Sequence, residues 1–133
     1  LGIERTTPGP GRHWKHTRSV ATDQLRVLDL LTSPSGPVSD RNRAFAAALL
    51  TVDTPRRARG IGAATVRPDR VALRNGRLRD ARGRWSVASA GRISSPSRDT
   101  LIAVLSDGHP GRTTGEATVE RVASIVMAEV RRD

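Results

Sequence analysis

Leu101-Ile102-Ala103-Val104-Leu105 is apolar at every position, and that run limits the architectures open to this chain. Successive side chains of a strand point to opposite faces, so a strand without polar residues needs a covering layer on both sides. The run is therefore expected to be a central strand with structure packed above and below it. Two more strand-like runs precede it, Val71-Ala72-Leu73-Arg74 and Trp85 to Ile93. A polar turn region, Gly76 to Gly83, separates those two, and Ser94 to Arg98 separates the second from the third. Connections this short cannot hold parallel crossovers, so residues 70–107 read as an antiparallel meander of three strands.

Helical periodicity flanks the meander. Downstream, Asp107-Gly108-His109-Pro110-Gly111 reads as a sharp loop, and Thr113-x-x-Glu116 has the spacing of a capping box. The helix predicted over 113–131 places Val119, Val122, Ala123, Val126 and Val130 on one stripe, with Glu120, Arg121 and Ser124 on the solvated side. Upstream, Ser19 is expected to cap a first helix with Asp23 in its first turn and Val20, Leu25, Leu28 and Leu31 inward. Thr32 to Pro37 breaks it. Ser39 then caps a second helix whose apolar face is Ala44, Phe45, Ala48, Leu49 and Val52, with Pro55 at its end. Residues 19–54 are thus a helical pair. Residues 1–18, with Pro8-Gly9-Pro10-Gly11, read as loop, and residues 55–69, basic and containing Gly60, Gly62 and Pro68, as a loop with little order of its own. The fold class is α+β: one domain with a small antiparallel sheet, a C-terminal helix packed on it and two helices before it.

Composition bounds the function classes. Aromatic residues make up 2% of the 133 residues, so Leu, Val, Ile and Ala must supply the core. A net charge of +10 points toward nucleic acid. The charge is almost all arginine, with Lys15 the one lysine, and it is scattered over different elements rather than gathered into a stripe. Nucleic-acid binding therefore ranks last among three readings. The absence of cysteine removes a thiol nucleophile and a Cys-ligated metal. No stretch approaches the roughly 20 apolar residues of a membrane-spanning helix.

From Val71 onward the order meets specific words. VALRNG, then WSVASAGRI, then TLIAVLSDG and a helix beginning near VERVA resemble the end of actinobacterial serine hydrolases related to class A β-lactamases and other penicillin-recognising enzymes. SVATDQLRVLDLL and PVSDRNRAFAAALL resemble the two helices that come earlier in that family, and LGIERTTPGPGRHW the loop bordering its active site. The resemblance implies that Arg74-Asn75-Gly76 stands at the family's Lys-[Thr/Asn/Ser]-Gly triad. There the cation and the second residue hold the substrate carboxylate, and the glycine lets substrate approach the strand. It also implies that the backbone N–H of Arg77 is an oxyanion-hole donor. Arginine in place of lysine keeps bidentate carboxylate binding but removes proton transfer, because its guanidinium stays protonated. Taken without the resemblance, Arg-Asn-Gly reads rather as an ordinary turn after a strand, Asn-Gly being a common hairpin signal.

The family's Ser-x-x-Lys nucleophile motif does not occur, so no catalytic residue is assigned in this chain. The chain is expected to be the C-terminal part of such a hydrolase, with the nucleophile upstream. The loop at the start offers Glu4 without the Glu-x-x-Leu-Asn pattern that positions the deacylating water in class A β-lactamases. Partners implied are a small-molecule or peptide-like carboxylate substrate and the missing N-terminal part of the domain; the location implied is secreted or cell-envelope. No cofactor is expected. A catalytically inactive ligand-binding module of the same fold is the second reading.

Other candidates carry less. His13 and His16 flank Trp14 in a Gly/Pro loop without a carboxylate at ligand spacing, so no metal site is assigned, and Trp14 is expected to pack the loop onto the body. Ser106, Asp107 and His109 sit too close together in one turn to converge as a triad, which leaves His109 as a solvated turn residue. Ser86, Ser89, Ser94 and Ser95 have no activating base nearby and read as strand-edge and turn residues. Arg77 to Arg84 reads as a solvated hairpin tip.

Overall fold

A computed structural model describes residues 2–11, 13–51 and 59–133. Val52 of the second helix's expected face and residues 55–58 of the expected basic loop lie outside the described residues. Helices α1 (Ala21–Thr32) and α2 (Asp40–Leu50) come first. Strands β1 (Arg70–Arg79), β2 (Trp85–Ser94) and β3 (Asp99–His109) follow, and helix α3 (Arg112–Val130) closes the chain. The strands form one antiparallel sheet in the order β1-β2-β3, as the meander predicts.

Alternation divides the sheet into two faces. Leu73 of β1, Val87, Ser89, Gly91 and Ile93 of β2, and Ile102 and Val104 of β3 are buried on one face under α3. Their neighbours in sequence point to the other face, where α1 packs against β2 and β3. The run from Leu101 to Leu105 is therefore layered on both sides, but β3 is an edge strand of this sheet and β2 is its centre. Covering layers, not position in the sheet, account for its composition. Leu105, 36% exposed, is where the cover runs out.

Helix α3 meets the sheet along Gly115, Val119, Ala123 and Met127, each four residues after the last. Val119 and Ala123 belong to the expected stripe, and Val130 packs against the core. Val122 and Val126 do not; they are 39% and 42% exposed. The reason lies at Gly115, where a Cβ would stand 2.6 Å from Val87 Cγ2 and 2.9 Å from His109 Cδ2. A missing side chain lets the helix descend there, and the row of residues below it turns inward.

The capping expectations divide. Ser39 accepts the Asn42 N–H at 3.4 Å and caps α2 as predicted. Ser19 does not cap α1, whose N-cap is Val20; its hydroxyl meets Thr6 Oγ1 at 2.7 Å and accepts from Gln24 Nε2 at 2.8 Å. Helix α3 begins after Gly111, and neither Thr113 nor Glu116 caps it. Strands β1 and β3 also run further than their apolar cores. Gly76 to Arg79, from the expected turn region, remain paired to β2, and Asp107 to His109 continue β3 rather than forming a loop.

The largest departure lies in the segment expected to be loose. Gly60–Ala64 forms a 3-10 turn in which Ile61 is fully buried, and Ile61 N–H donates to Ser89 Oγ at 2.9 Å. Ser89 is thus a buried partner in the central strand and not a strand-edge residue. Conversely, α2 has no buried residue, and Phe45 is 67% exposed on what periodicity marks as its inner face.

Asp23 anchors the N-terminal loop. Its carboxylate is buried and accepts the Arg5 N–H and the Thr6 hydroxyl, both at 2.8 Å. The Thr6 hydrogen bond, with the Arg5 amide and the charge of Arg26, outweighs the cost of burial and holds this carboxyl below its ordinary value.

Two outcomes follow from this packing. Ile61→Ala is expected to lower unfolding free energy by about 2–5 kcal/mol, whereas Phe45→Ala changes it by less than about 0.5 kcal/mol, measured by urea denaturation. A carboxyl lowered by folding adds stability above its unfolded pKa, and that stability is lost as pH falls through the folded value. Asp23→Asn is therefore expected to reduce the melting temperature at pH 7 and to match the parent chain in acid, once Asp23 is protonated.

Candidate functional site

The triad occupies the middle of an edge strand. Arg74, Asn75, Gly76 and Arg77 pair with Ala90, Ser89, Ala88 and Val87 of β2, so the alternative reading as a turn does not hold. The hairpin turn lies beyond, at Asp80 to Arg84, where Asp80 Oδ1 accepts the amides of Arg82 and Arg84 at 2.9 and 2.8 Å. Of the basic stretch Arg77 to Arg84, Arg77 and Arg79 therefore belong to the strand and not to the tip.

All four residues from Arg74 to Arg77 are exposed along the strand. Leu73 points into the core under α3, so Asn75 and Arg77 share that face and Arg74 and Gly76 take the other. Arg74 donates from Nη1 to the Leu73 carbonyl at 3.2 Å and forms no ion pair among the described residues. Gly76 is not required by packing, since a Cβ there would meet only Ala88 Cβ, at 4.0 Å.

Asn75 is tied to the segment ahead of β1. Its Nδ2 donates to the Arg59 carbonyl at 3.3 Å, and a Cβ on Gly60 would collide with Ser89 Oγ and stand 2.5 Å from Asn75 Oδ1. Gly60 has φ +67, in the left-handed region that glycine tolerates without strain. The backbone at residues 59–61 is thereby pinned between Asn75, Ser89 and Glu120, whose Oε1 accepts the Gly60 N–H at 3.4 Å.

This pinning brings a charge cluster to the strand. Arg77 Nη1 donates to Glu116 Oε1 at 2.9 Å, Arg59 Nη1 reaches Glu116 Oε2 at 3.5 Å, and Arg112 Nε lies 3.5 Å from Oε1. The Glu116 side chain is 13% exposed, and those of Arg59, Arg77 and Arg112 are 69%, 56% and 52% exposed. Three guanidinium groups account for Glu116 turning away from the helix start that a capping box would have it serve. Sequence spacing suggests only the i,i+4 pair Arg112–Glu116. The partners from β1 and the 3-10 turn are 39 and 57 residues away, and no local pattern announces them.

The remaining candidates are not gathered here. The rings of His13, just before the exposed 3-10 turn Trp14–His16, and of His16 within it have centroids 6.2 Å apart, and no group of metal-ligating residues occurs among the described residues. Trp14 is 85% exposed and does not pack the loop onto the body. His109 is half-buried, with its ring beside Gly115 and its Nε2 2.6 Å from Ser106 Oγ. Asp107 takes no part in that contact among the described residues. No described helix is long and apolar enough to cross a membrane.

Solved structures share this fold. A class A β-lactamase from Bacteroides cellulosilyticus DSM 14838 superposes over 99% of this chain with TM-score 0.80 at 16% identity, and 51% of its own length is covered. The β-lactamase-like fold is this chain's fold. PBP-A matches over 99% of this chain and 48% of its own, with TM-score 0.76 and 16% identity. A class A β-lactamase from Mycobacterium abscessus matches over 84% and 42%, with TM-score 0.69 and 21% identity. The chain thus spans about half the length of the β-lactamase-like structures it matches. No protein-family model and no curated protein sequence matches it.

Gly60→Ala tests the pinning. It is expected to cost about 1–3 kcal/mol of stability, the usual penalty for a side chain held at positive φ. It should also shift the Asn75 side-chain amide resonances, as the Arg59 carbonyl moves away.

Proposed function

We propose that the chain is the substrate-recognising C-terminal part of a serine hydrolase of the penicillin-recognising kind, acting by acyl transfer in the cell envelope or outside the cell. One observation carries the reading. Arg74-Asn75-Gly76 lies exposed in the middle of an edge strand, with an unpaired guanidinium among the described residues and a glycine that packing does not demand. The fold supports it, because a mutant of PBP-A with the same fold is solved as an acyl-enzyme complex with penicillin G. The half of the fold that this chain does not span would supply the nucleophilic serine. Two features fit such a missing half: among the described residues β3 has no strand on its outer edge, and Val122, Ile125 and Val126 of α3 are exposed beside one another in the helix.

In this reading Arg74 binds the substrate carboxylate through paired N–H donors. The Arg77 N–H stabilises negative charge developing on the acyl carbonyl oxygen as the serine attacks. Arg74 cannot act as a proton carrier at neutral pH, so proton transfer falls to groups outside this chain. That same substitution favours a second reading, a module of this fold that binds a carboxylate ligand without turning it over.

Fluorescent penicillin separates the readings. A polypeptide containing this chain and the sequence encoded directly before it is expected to become covalently labelled on a serine ahead of Leu1. The isolated chain is expected to stay unlabelled, and Arg74→Ala in the longer polypeptide should lower labelling by about tenfold or more, the scale of one charge-assisted hydrogen-bonded pair. Labelling of the isolated chain would overturn the placement of the nucleophile. Reversible binding without labelling of the longer polypeptide would establish the inactive module.

A further inference from the structure

Residues three apart in a strand ordinarily point to opposite faces. Ser106 and His109 are three apart in β3, yet Ser106 Oγ lies 2.6 Å from His109 Nε2. A bulge brings them together. Val87 pairs with Ser106 and Trp85 with His109, so two steps along β2 match three along β3. The extra residue falls in Asp107-Gly108, where Gly108 takes φ +74, and it turns His109 to the face that carries Ser106. Bulges of this kind re-aim side chains, and they are frequent beside active sites.

Several contacts build the pair. Arg84 donates to the Gly108 carbonyl from Nε at 2.6 Å and also from Nη2, which fixes the bulge. Gly115 leaves room for the imidazole, whose Cδ2 would stand 2.9 Å from a Cβ there. Packing against the helix thus orients the ring, a task that a carboxylate performs in a serine-histidine-aspartate triad. Helix α3 starts beside the ring with no side-chain cap and no acidic residue in its first turn, so the positive end of its dipole is uncompensated there. Both side chains are half-buried, partly shielded from water yet open to a small molecule. The hydroxyls of Ser19, Ser89, Ser95 and Ser124 bond to other hydroxyls, amides or carbonyls. Ser106 meets a base.

We propose that Ser106 is a nucleophile toward small activated carboxylic esters, with His109 as its general base. The separation of Oγ and Nε2 lies within the range such a pair requires. As Oγ bonds to the ester carbonyl carbon, Nε2 takes the hydroxyl proton. The bond from that carbon to the leaving oxygen then breaks, and Nε2 returns the proton to the departing alcohol. Water, deprotonated at Nε2, releases the acid from Ser106. This site lies on β3 and the α3 face, whereas Arg74 lies on β1 and the opposite face, so neither depends on the other.

Two probes test the proposal on the whole chain. The first is an alkyl fluorophosphonate, which forms an Oγ–P bond as the P–F bond breaks and fluoride leaves. Peptide mass spectrometry is expected to place the phosphonyl group on Ser106 and not on the exposed Ser97. Ser106→Ala should abolish the label, and His109→Gln should slow it about 100-fold, the usual contribution of a positioned base. Unfolding the parent in urea should slow it as much, a comparison that needs no variant. Arg74→Ala should leave it unchanged. The second probe, p-nitrophenyl acetate, is expected to release p-nitrophenol with turnover in the parent and not in Ser106→Ala.

A label found only on the amines of Leu1 and Lys15, or a Ser106 label formed equally fast in urea, would overturn the proposal. A folded His109→Gln variant that reacts like the parent would overturn the role of the imidazole. The peptide that carries the label separates this chemistry from acylation by penicillin on a serine ahead of Leu1. Parent-like amide spectra of the variants confirm that the fold is kept.

Discussion

Helix α3 approaches the sheet too closely at Gly115 for any side chain there, and most of the molecule follows from that approach. The side chains it displaces would belong to Val87 and His109, one on the central strand and one at the end of β3. Below Gly115, Val119, Ala123 and Met127 fill the space over Ile93, Ile102 and Val104. One flank of the helix is left for the Gly60–Ala64 turn, whose Ile61 completes the same core. A core without aromatic residues needs such closeness. Small and branched side chains bury little area each, so dispersion gains depend on short distances between many of them.

The same approach places the charges. Glu116 follows Gly115 directly, so lowering the helix brings its carboxylate to the face of β1 that carries Asn75 and Arg77. The 3-10 turn delivers Arg59 from the other side, fixed by hydrogen bonds to Asn75 and Ser89. Core packing and site chemistry therefore share residues. Ser89 is a buried hydroxyl in the centre of the sheet and also the anchor of the segment that carries Arg59.

Much of the fold is legible in the sequence because it obeys local periodicity. The three strands, their antiparallel order, the two helices before them and the long helix after them all follow from spacing two or spacing 3.6. The failures share a cause. Ile61 lies in a stretch rich in arginine and glycine, where composition signals loop, and only contact with Ser89 and the core makes it buried. Valines 122 and 126 satisfy a helical stripe that Gly115 rotates away from the sheet. Phe45 and Leu49 have the right period in α2 and nothing described to cover them. At the site, the triad is visible as Arg74-Asn75-Gly76 through resemblance alone. Arg59 and Glu116 are invisible, because their meeting is a property of tertiary structure.

The described elements also differ in how they are tied to the whole. Helix α2 buries no residue, whereas β2 is paired on both sides and covered on both faces. Backbone amides in α2 can therefore exchange with solvent through local opening, while those of β2 exchange only when the whole domain opens. Arg74 to Arg77 are paired to β2 along their length. The strand that carries Arg74-Asn75-Gly76 thus belongs to the slowest-opening unit of the chain, and the periphery can fray without disturbing its geometry.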